Sequence, residues 1–258
     1  MPELAEVEWM VRGLREHAQG HFLDSLEVRD ARLLEGAEHL LGVLQRVERR
    51  AKYIQMEFGS FCLVLHPRMT GRLVWGFDER ARAIFRFRGG RVVSFVDPRR
   101  FGTLKEYRGD ELAQFFRDKQ LGDEPWPEQH DGGWWEQRLG GRRLPIKSAL
   151  MRQDLVAGLG NIAAVEICWR VGVDPRMPTQ ALQANQWTAL ATATWEHLAV
   201  TLSDIGTSLE LVGEGGENGF MVYGRVGEPC PRCRTPIERF KQSGRGTYWC
   251  SACQGGNA

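Results

Sequence analysis

The chain has 258 residues, with 34 basic and 33 acidic side chains and a formal net charge of +1. A hydrophobic content of 42% and a charged content of 26% are typical of globular proteins and exclude a disordered or collagen-like chain. No apolar run approaches the roughly 20 residues of a membrane helix, and the acidic N-terminus does not resemble a secretory signal. We therefore expect a cytoplasmic protein.

The small net charge conceals charged blocks that alternate along the chain. Residues 41–108 carry 15 basic and 6 acidic side chains, a surplus of nine positive charges. Residues 137–182 and residues 225–258 each have a surplus of four, and the segments between these blocks are acidic. A fold that brought the three basic blocks onto one face would create a surface for a polyanion.

The first predicted elements are a helix and a set of short strands. Pro2, followed by acidic residues, is typical of a helix N-terminus. The spacing of apolar residues predicts a helix over residues 3–18, with Leu4, Val7, Met10, Val11 and Leu14 on one face. From about residue 22 to residue 108 the pattern changes to short β-type runs, two of which flank the turn signal Gly89-Gly90.

The second half of the chain has mostly helical patterns after a break. Residues 122–141 are rich in Gly, Pro and Trp, which indicates a linker. Helices are predicted over residues 148–156, 162–171 and 179–202, with a glycine-rich connection between the first two. The predicted boundaries are an N-terminal domain over 1–122, a linker over 123–141, a helical domain over 142–222 and a zinc module over 223–258.

Four of the six cysteines have the spacing of a metal site. Two C-x2-C pairs are separated by sixteen residues, and the four thiols are those of Cys230, Cys233, Cys250 and Cys253. This spacing predicts one structural zinc ion held by four thiolates. Two disulfides are the alternative, which we disfavour because nothing marks the chain as secreted. Cys62 and Cys168 lie in apolar surroundings and are predicted to be buried.

The N-terminus offers a nucleophile if Met1 is removed, because Pro2 then presents a secondary amine. A free α-amine has a pKa of about 8, and the positive end of a following helix lowers that pKa. Such an amine can attack a sugar C1′ and form a Schiff base, and Glu3 could supply or accept the protons. Helix capping alone is the simpler explanation of these residues taken by themselves.

Two loop segments combine basic and apolar side chains. Residues 66–71 contain Met69, and residues 97–102 contain Arg99 and Phe101. Proteins that kink DNA insert apolar side chains between base steps, and an arginine can replace a displaced base. The alternative is that Met69 and Phe101 belong to the core.

The glycine-rich connection at 157–161 has two interpretations. Helix ends and a backbone held close by glycines can bind a phosphate, to which Asn161 would donate a hydrogen bond. A helical hairpin turn with Asn161 as N-cap is equally consistent with the pattern.

In combination and in order, these segments resemble formamidopyrimidine-DNA glycosylases over essentially the whole chain. The matching segments are residues 1–8 (the family's PELPEVE motif), 49–53 (its lysine-bearing loop), 66–71 and 97–102 (its void-filling loops), 153–162 (its helix–two-turn–helix) and 223–254 (its zinc finger). The resemblance implies an α+β fold in which an N-terminal helix and a two-layered antiparallel β-sandwich precede a helix–two-turn–helix domain and a four-cysteine zinc-finger hairpin.

The resemblance also implies a base-excision repair enzyme of bacterial type, associated with the nucleoid. We expect a monomer, because one chain can wrap one lesion without symmetry. The enzyme would bind double-stranded DNA that contains damaged bases or abasic sites, remove oxidised purines such as formamidopyrimidines and 8-oxoguanine, and nick the strand by β,δ-elimination. Pro2 would be the nucleophile, Glu3 the general acid and Lys52 a proton donor or phosphate contact. The implied DNA contacts are Met69, Arg99 and Phe101 in the hole left by the flipped base, and Asn161 and Arg245 on phosphates, with Lys147 in support.

Two departures from the family pattern concern base recognition. Ala163 stands where the family often has a tyrosine, and the segment 206–220 looks shorter than the family's loop over a flipped 8-oxoguanine. We therefore expect intact lyase chemistry and a weaker or altered preference for 8-oxoguanine.

Three alternatives remain open from the sequence. The first is the sister branch of the superfamily, the endonuclease VIII-like glycosylases, which excise oxidised pyrimidines. The second is a non-catalytic binder of abasic or damaged DNA, which Pro2, Glu3 and Lys52 argue against. The third is a structural zinc-ribbon protein, a class that is usually much more basic.

Overall fold

The fold is given by a computed structural model, which describes residues 1–34, 39–207 and 219–255. The chain divides into two units, Met1–Lys119 and Gln120–Ala258. Among the described residues, no helix is long and apolar enough to cross a membrane.

Helix α1 (Leu4–His17) opens the first unit, close to the predicted bounds. A reciprocal capping box begins it: the backbone N–H of Glu3 donates to the Glu6 carboxylate, and the Glu3 side chain accepts from the Glu6 backbone. This motif satisfies backbone donors that a helix N-terminus otherwise leaves without partners. The helix therefore starts at a defined residue, Leu4, with Glu3 as its N-cap and Pro2 before it.

Nine strands follow α1 and form two antiparallel sheets. The strands are β1 (Phe22–Val28), β2 (Gly42–Val43), β3 (Arg46–Arg50), β4 (Tyr53–Glu57), β5 (Cys62–His66), β6 (Arg72–Trp75), β7 (Ala81–Phe87), β8 (Arg91–Val96) and β9 (Thr103–Tyr107). One sheet has the order β2-β1-β7-β8-β6 and the other has the order β3-β4-β5-β9. The predicted turn at Gly89-Gly90 joins β7 to β8.

One hydrophobic core lies between the two sheets and is shared with α1. It takes Phe85 and Phe95 from the five-stranded sheet, Ile54 and Leu65 from the four-stranded sheet, and Met10 from α1. Strand β4 alternates buried and half-buried residues, whereas β7 is buried along almost its whole length. The inward side chains of the two sheets meet in this core, as in other packed sheets. The α+β sandwich implied by the resemblance is therefore confirmed, and a short helix, α2 (Glu111–Lys119), ends this unit.

The second unit begins with a helix inside the segment for which the sequence predicts a linker. Helix α3 (Gly132–Leu139) is capped by the Asp131 side chain, which accepts a hydrogen bond from the Trp134 backbone. Trp135 is only 1% exposed. Burial of this side chain makes the segment part of a core, whereas its glycines and prolines on their own indicate a loop.

The remaining helices form the body of this unit. They are α4 (Ile146–Leu150), α5 (Asn161–Val171), a 3-10 turn (Thr179–Ala181) and α6 (Ala184–Thr207). Helix α4 is shorter than the predicted helix over 148–156, because turns replace it after residue 150. The Gln153 side chain holds these turns by donating to the carbonyls of Met151 and Leu159 and accepting from the Gly158 N–H.

A small hairpin follows, made of β10 (Glu238–Gln242) and β11 (Arg245–Trp249), with a last short helix α7 (Ser251–Gln254). The segment that leads into it is held by Glu166 of α5, whose side chain is buried. Its carboxylate accepts three backbone N–H bonds, from Met221 at 3.0 Å and from Val222 and Tyr223 at 2.9 Å. Three donors on one carboxylate make Glu166 the anchor of this segment.

We expect Glu166→Ala to destabilise the protein by about 3 kcal/mol or more, because three backbone donors lose their acceptor and each such loss costs about 1–3 kcal/mol. Glu166→Gln should cost less, since one amide oxygen still accepts. Chemical denaturation measures both, with exposed Glu196→Ala on α6 as the control. A Glu166→Ala protein as stable as the control would contradict the anchoring role.

Candidate functional site

The N-terminal residues bring two acidic side chains to the start of α1. Pro2 is half-buried, and Glu3 and Glu6 are both buried. Burial, together with the neighbouring charge of Glu3, raises the pKa of Glu6. Sequence reasoning selected Pro2 and Glu3 but missed Glu6, although its place three residues after a helix N-cap is a recognisable signal. The arrangement puts two buried carboxyl groups at the start of the helix that follows the candidate nucleophile.

Lys52 lies in the tight turn between β3 and β4, where its side chain is largely buried. The preceding residue, Ala51, has a φ of 52°, which is in the left-handed region. Arg49 holds this turn, because it donates to the Ala51 carbonyl at 3.1 Å and to the Glu8 carboxylate of α1 at 3.0 Å. The Glu8–Arg49 ion pair thus ties the Lys52 turn to the helix that begins after Pro2, a link that sequence reasoning missed.

The two loops with apolar tips lie side by side in the first unit. The Thr70 hydroxyl donates to Asp97 at 2.5 Å and accepts from the Arg99 N–H at 3.2 Å. Met69 is 38% exposed and Phe101 is 52% exposed. The guanidinium of Arg99 lies 5.1 Å from the centre of the Phe101 ring. Both tips are therefore presented to solvent, and the interpretation that they belong to the core is wrong.

In the second unit, Asn161 begins α5 directly after the glycine-rich connection. Its side-chain amide donates to the Gly246 carbonyl of β11 at 3.1 Å. An amide NH2 has two N–H groups, so this bond leaves the second one for a ligand such as a phosphate. The contact also holds the hairpin against the helix.

Lys147 and Arg245 flank the same hairpin in different surroundings. The Lys147 ammonium is buried and donates to the Thr247 hydroxyl at 2.9 Å. Burial lowers the pKa of Lys147 to about 8, and the nearby Arg245 contributes in the same direction. Arg245 itself is exposed at the turn after Ser243 and Gly244, both of which have a positive φ. Lys147 thus supports the hairpin from beneath, whereas Arg245 faces solvent.

The four cysteines of the C-x2-C pairs converge on one point. Their sulfur atoms all lie within 4.8 Å of one another, with Cys230 and Cys253 at 3.9 Å and Cys233 and Cys250 at 3.4 Å. A tetrahedral zinc ion with Zn–S bonds of about 2.3 Å places its sulfurs about 3.8 Å apart. The site therefore fits one structural zinc, as predicted. Among the described residues it is the one His, Cys, Asp or Glu group with this geometry.

The other two cysteines are buried, as predicted. Burial raises the pKa of Cys62 and of Cys168 to about 12 in each case. Both side chains are therefore neutral thiols at physiological pH and are not nucleophiles.

Comparison with known families covers each part of this architecture. Residues 1–104 match the formamidopyrimidine-DNA glycosylase N-terminal domain, residues 121–211 match its H2TH domain, and residues 227–255 match the zinc finger found in FPG and IleRS. Three parts define the class as a DNA glycosylase of the formamidopyrimidine type. They are a β-sandwich that follows an N-terminal helix, an H2TH domain and a four-thiolate zinc finger.

Whole-chain relatives agree with this class. A formamidopyrimidine-DNA glycosylase of Streptococcus pneumoniae is 35% identical over 98% of this chain and 99% of the relative. The solved structure of Lactococcus lactis Fpg with abasic-site DNA has a TM-score of 0.84 and 31% sequence identity. The structure of MutM with carbocyclic 8-oxo-G DNA has a TM-score of 0.85 and 32% identity. Each match covers 98% of this chain and 99% of the other. The chain belongs to the formamidopyrimidine-DNA glycosylase family.

We expect Cys250→Ser to abolish stoichiometric zinc binding, because an incomplete thiolate set cannot close the tetrahedron. Elemental analysis of the purified protein measures the zinc content, and circular dichroism reports the loss of the hairpin. The matched control is Cys62→Ala, which removes a buried thiol from the other unit and should keep one zinc per chain. Equal zinc content in the two variants would contradict the assignment.

Proposed function

We propose that this protein is a bifunctional DNA glycosylase and abasic-site lyase of base excision repair, which removes oxidised purines. The observation that carries the proposal is the N-terminal geometry: Pro2 directly precedes a capped helix and lies beside two buried carboxyl groups. Family membership supports the same conclusion. The nucleophile, the proton-handling groups and the DNA contacts all come from one chain, which favours a monomer. The bacterial relatives favour a location in the cytoplasm, at the nucleoid.

The proposed reaction begins when the free amine of Pro2 attacks C1′ of the damaged nucleotide. A C1′–N bond forms, the glycosidic bond breaks, and the base leaves with a proton supplied by an acid such as Glu3. The proton of the attacking amine then passes to O4′ as the C1′–O4′ bond breaks, which opens the sugar ring and leaves an iminium between Pro2 and C1′. This electron sink acidifies the C2′ proton, so loss of the 3′ and then the 5′ phosphate follows by β- and δ-elimination.

The buried carboxyl groups at the start of α1 are suited to these proton transfers. Burial and the neighbouring charge of Glu3 raise the pKa of Glu6, because two buried negative charges close together are unfavourable. Lys52, held by the turn that Arg49 fixes, is the proposed phosphate contact or proton donor on the same unit.

The remaining site residues are proposed to bind and distort the DNA. Met69, Arg99 and Phe101 would fill the hole that a flipped base leaves, because their side chains stand exposed on adjacent loops. Asn161 and Arg245 would hold phosphates, with Lys147 supporting the hairpin. Flipping a base costs a few kcal/mol, and these contacts offset that cost. The zinc has a closed set of thiolates, so its role is to hold the hairpin.

The amine nucleophile is tested by borohydride trapping with an oligonucleotide that contains an abasic site. We expect a covalent adduct in which the DNA is attached to Pro2 of a chain that lacks Met1. The matched control adds residues before Met1, so that the Pro2 nitrogen becomes a peptide amide while every side chain is kept. This control should form no adduct. An adduct at another residue, or none with the unmodified protein, would contradict the proposed chemistry.

Lesion preference is tested by comparing substrates under single-turnover conditions. We expect abasic-site cleavage to be faster than excision of 8-oxoguanine opposite C, because the departures at Ala163 and in the segment 206–220 concern base recognition. Most of that segment lies outside the described residues, so this remains a prediction. Equal rates on the two substrates would contradict it, and preferential excision of an oxidised pyrimidine would favour the sister branch.

A further inference from the structure

A single buried carboxylate connects the two exposed loops. Asp97, directly after β8, is 1% exposed. One of its oxygens accepts the Thr70 hydroxyl at 2.5 Å, and the other accepts the Gly102 N–H at 2.7 Å and the Arg82 guanidinium at 3.0 Å. Thr70 belongs to one loop and Gly102 ends the other, so both loops are fastened to the same group.

Arg82 on β7 balances the charge of this carboxylate. Its guanidinium is buried and also contacts the Asp30 carboxylate, with Nε donating at 3.1 Å, and the Gly102 carbonyl at 3.1 Å. A buried ion pair is stabilising only if further hydrogen bonds satisfy its remaining groups. This network meets that condition, which favours a single arrangement of its members.

The loops that this network holds are strained. Arg68 and Arg100 have φ angles of 59° and 57°, in the left-handed region that non-glycine residues seldom adopt. The Phe95 ring lies beneath both loops, and a Cβ on Gly71 or Gly102 would come within 2.9 or 2.6 Å of it. Strained residues keep such conformations only where the surroundings enforce them, and here the buried network supplies that constraint.

We propose that Thr70, Asp97 and Arg82 are positioning residues that hold Met69, Arg99 and Phe101 together as one preformed insert. This inference rests on the proposed function, since it concerns how the same loops fill the hole beside a flipped base. Thr70 is the central link, because its hydroxyl donates to Asp97 and accepts from the Arg99 N–H at the same time. Holding the three side chains in one arrangement helps only where a flipped base leaves a hole in a duplex. The network should therefore affect cleavage of duplex DNA and not cleavage of a single strand.

The test compares Thr70→Val with Thr70→Ser. Valine keeps the shape of threonine but lacks the hydroxyl, whereas serine keeps the hydroxyl; Asp97 and Arg82 remain paired in both. Thr192→Val, on the exposed face of α6, is the matched control for the same chemical change in the other unit. Single-turnover cleavage of an abasic site is measured in duplex and in single-stranded DNA, and the melting temperature of each protein is recorded.

We expect Thr70→Val to cleave the duplex about tenfold more slowly, as the loss of one hydrogen bond at a buried charged group implies. Its cleavage of the single strand should match the unmodified protein, and Thr70→Ser should restore the duplex rate. An unchanged duplex rate would overturn the inference. An equal fall on both substrates, with a matching fall in melting temperature, would also overturn it, because the network would then be merely structural.

Failure of the proposed function has a different signature in the same experiment. The unmodified protein would then cleave neither substrate and would form no borohydride adduct, and the inference would fall with it. If the Thr70→Val protein forms the adduct on the single strand as the unmodified protein does, the proposed function stands. Its duplex rate then decides whether the network positions the loops.

Discussion

Buried carboxylates hold four segments of this protein in place. Glu6 closes the capping box before α1, Glu8 binds the arginine that shapes the Lys52 turn, Asp97 fastens the two exposed loops, and Glu166 holds the entry to the zinc finger. Removing a carboxylate from water is costly unless its oxygens are satisfied. At these positions they accept from backbone N–H groups, from arginine or, at Asp97, also from the Thr70 hydroxyl. These hydrogen bonds offset the cost of burial, and each of them requires a defined geometry.

This arrangement separates stability from chemistry. The sandwich core stabilises the first unit, and the zinc site stabilises the hairpin of the second. Neither supplies a proposed reacting group. The residues proposed to react with DNA or to bind it stand on segments next to these carboxylates: Pro2 before α1, Lys52 in a turn, and Met69, Arg99 and Phe101 on loops. Catalytic and binding residues on loops need such support, because loops by themselves do not hold a fixed shape.

The parts of the fold that were predictable are those with local signals. The apolar spacing of α1 and α5, the short β-type runs and the cysteine spacing each follow from residues close together in sequence. Helix α3 was obscured, because the glycines and prolines around it indicate a loop while the burial of Trp135 depends on distant contacts. The turns after α4 depend on the Gln153 side chain, which no helical periodicity reveals.

By itself the sequence determined the zinc ligands, the start of the first helix and the family, because spacing and motif order are local properties. The tertiary structure alone decided that Met69 and Phe101 face solvent and that Thr70 meets Asp97, 27 residues further along the chain. It likewise decided that Glu166 accepts from Val222, 56 residues away. The physical reason is that a hydrogen bond between distant residues leaves no periodic trace in either segment, and it forms only when the packed core brings the two together.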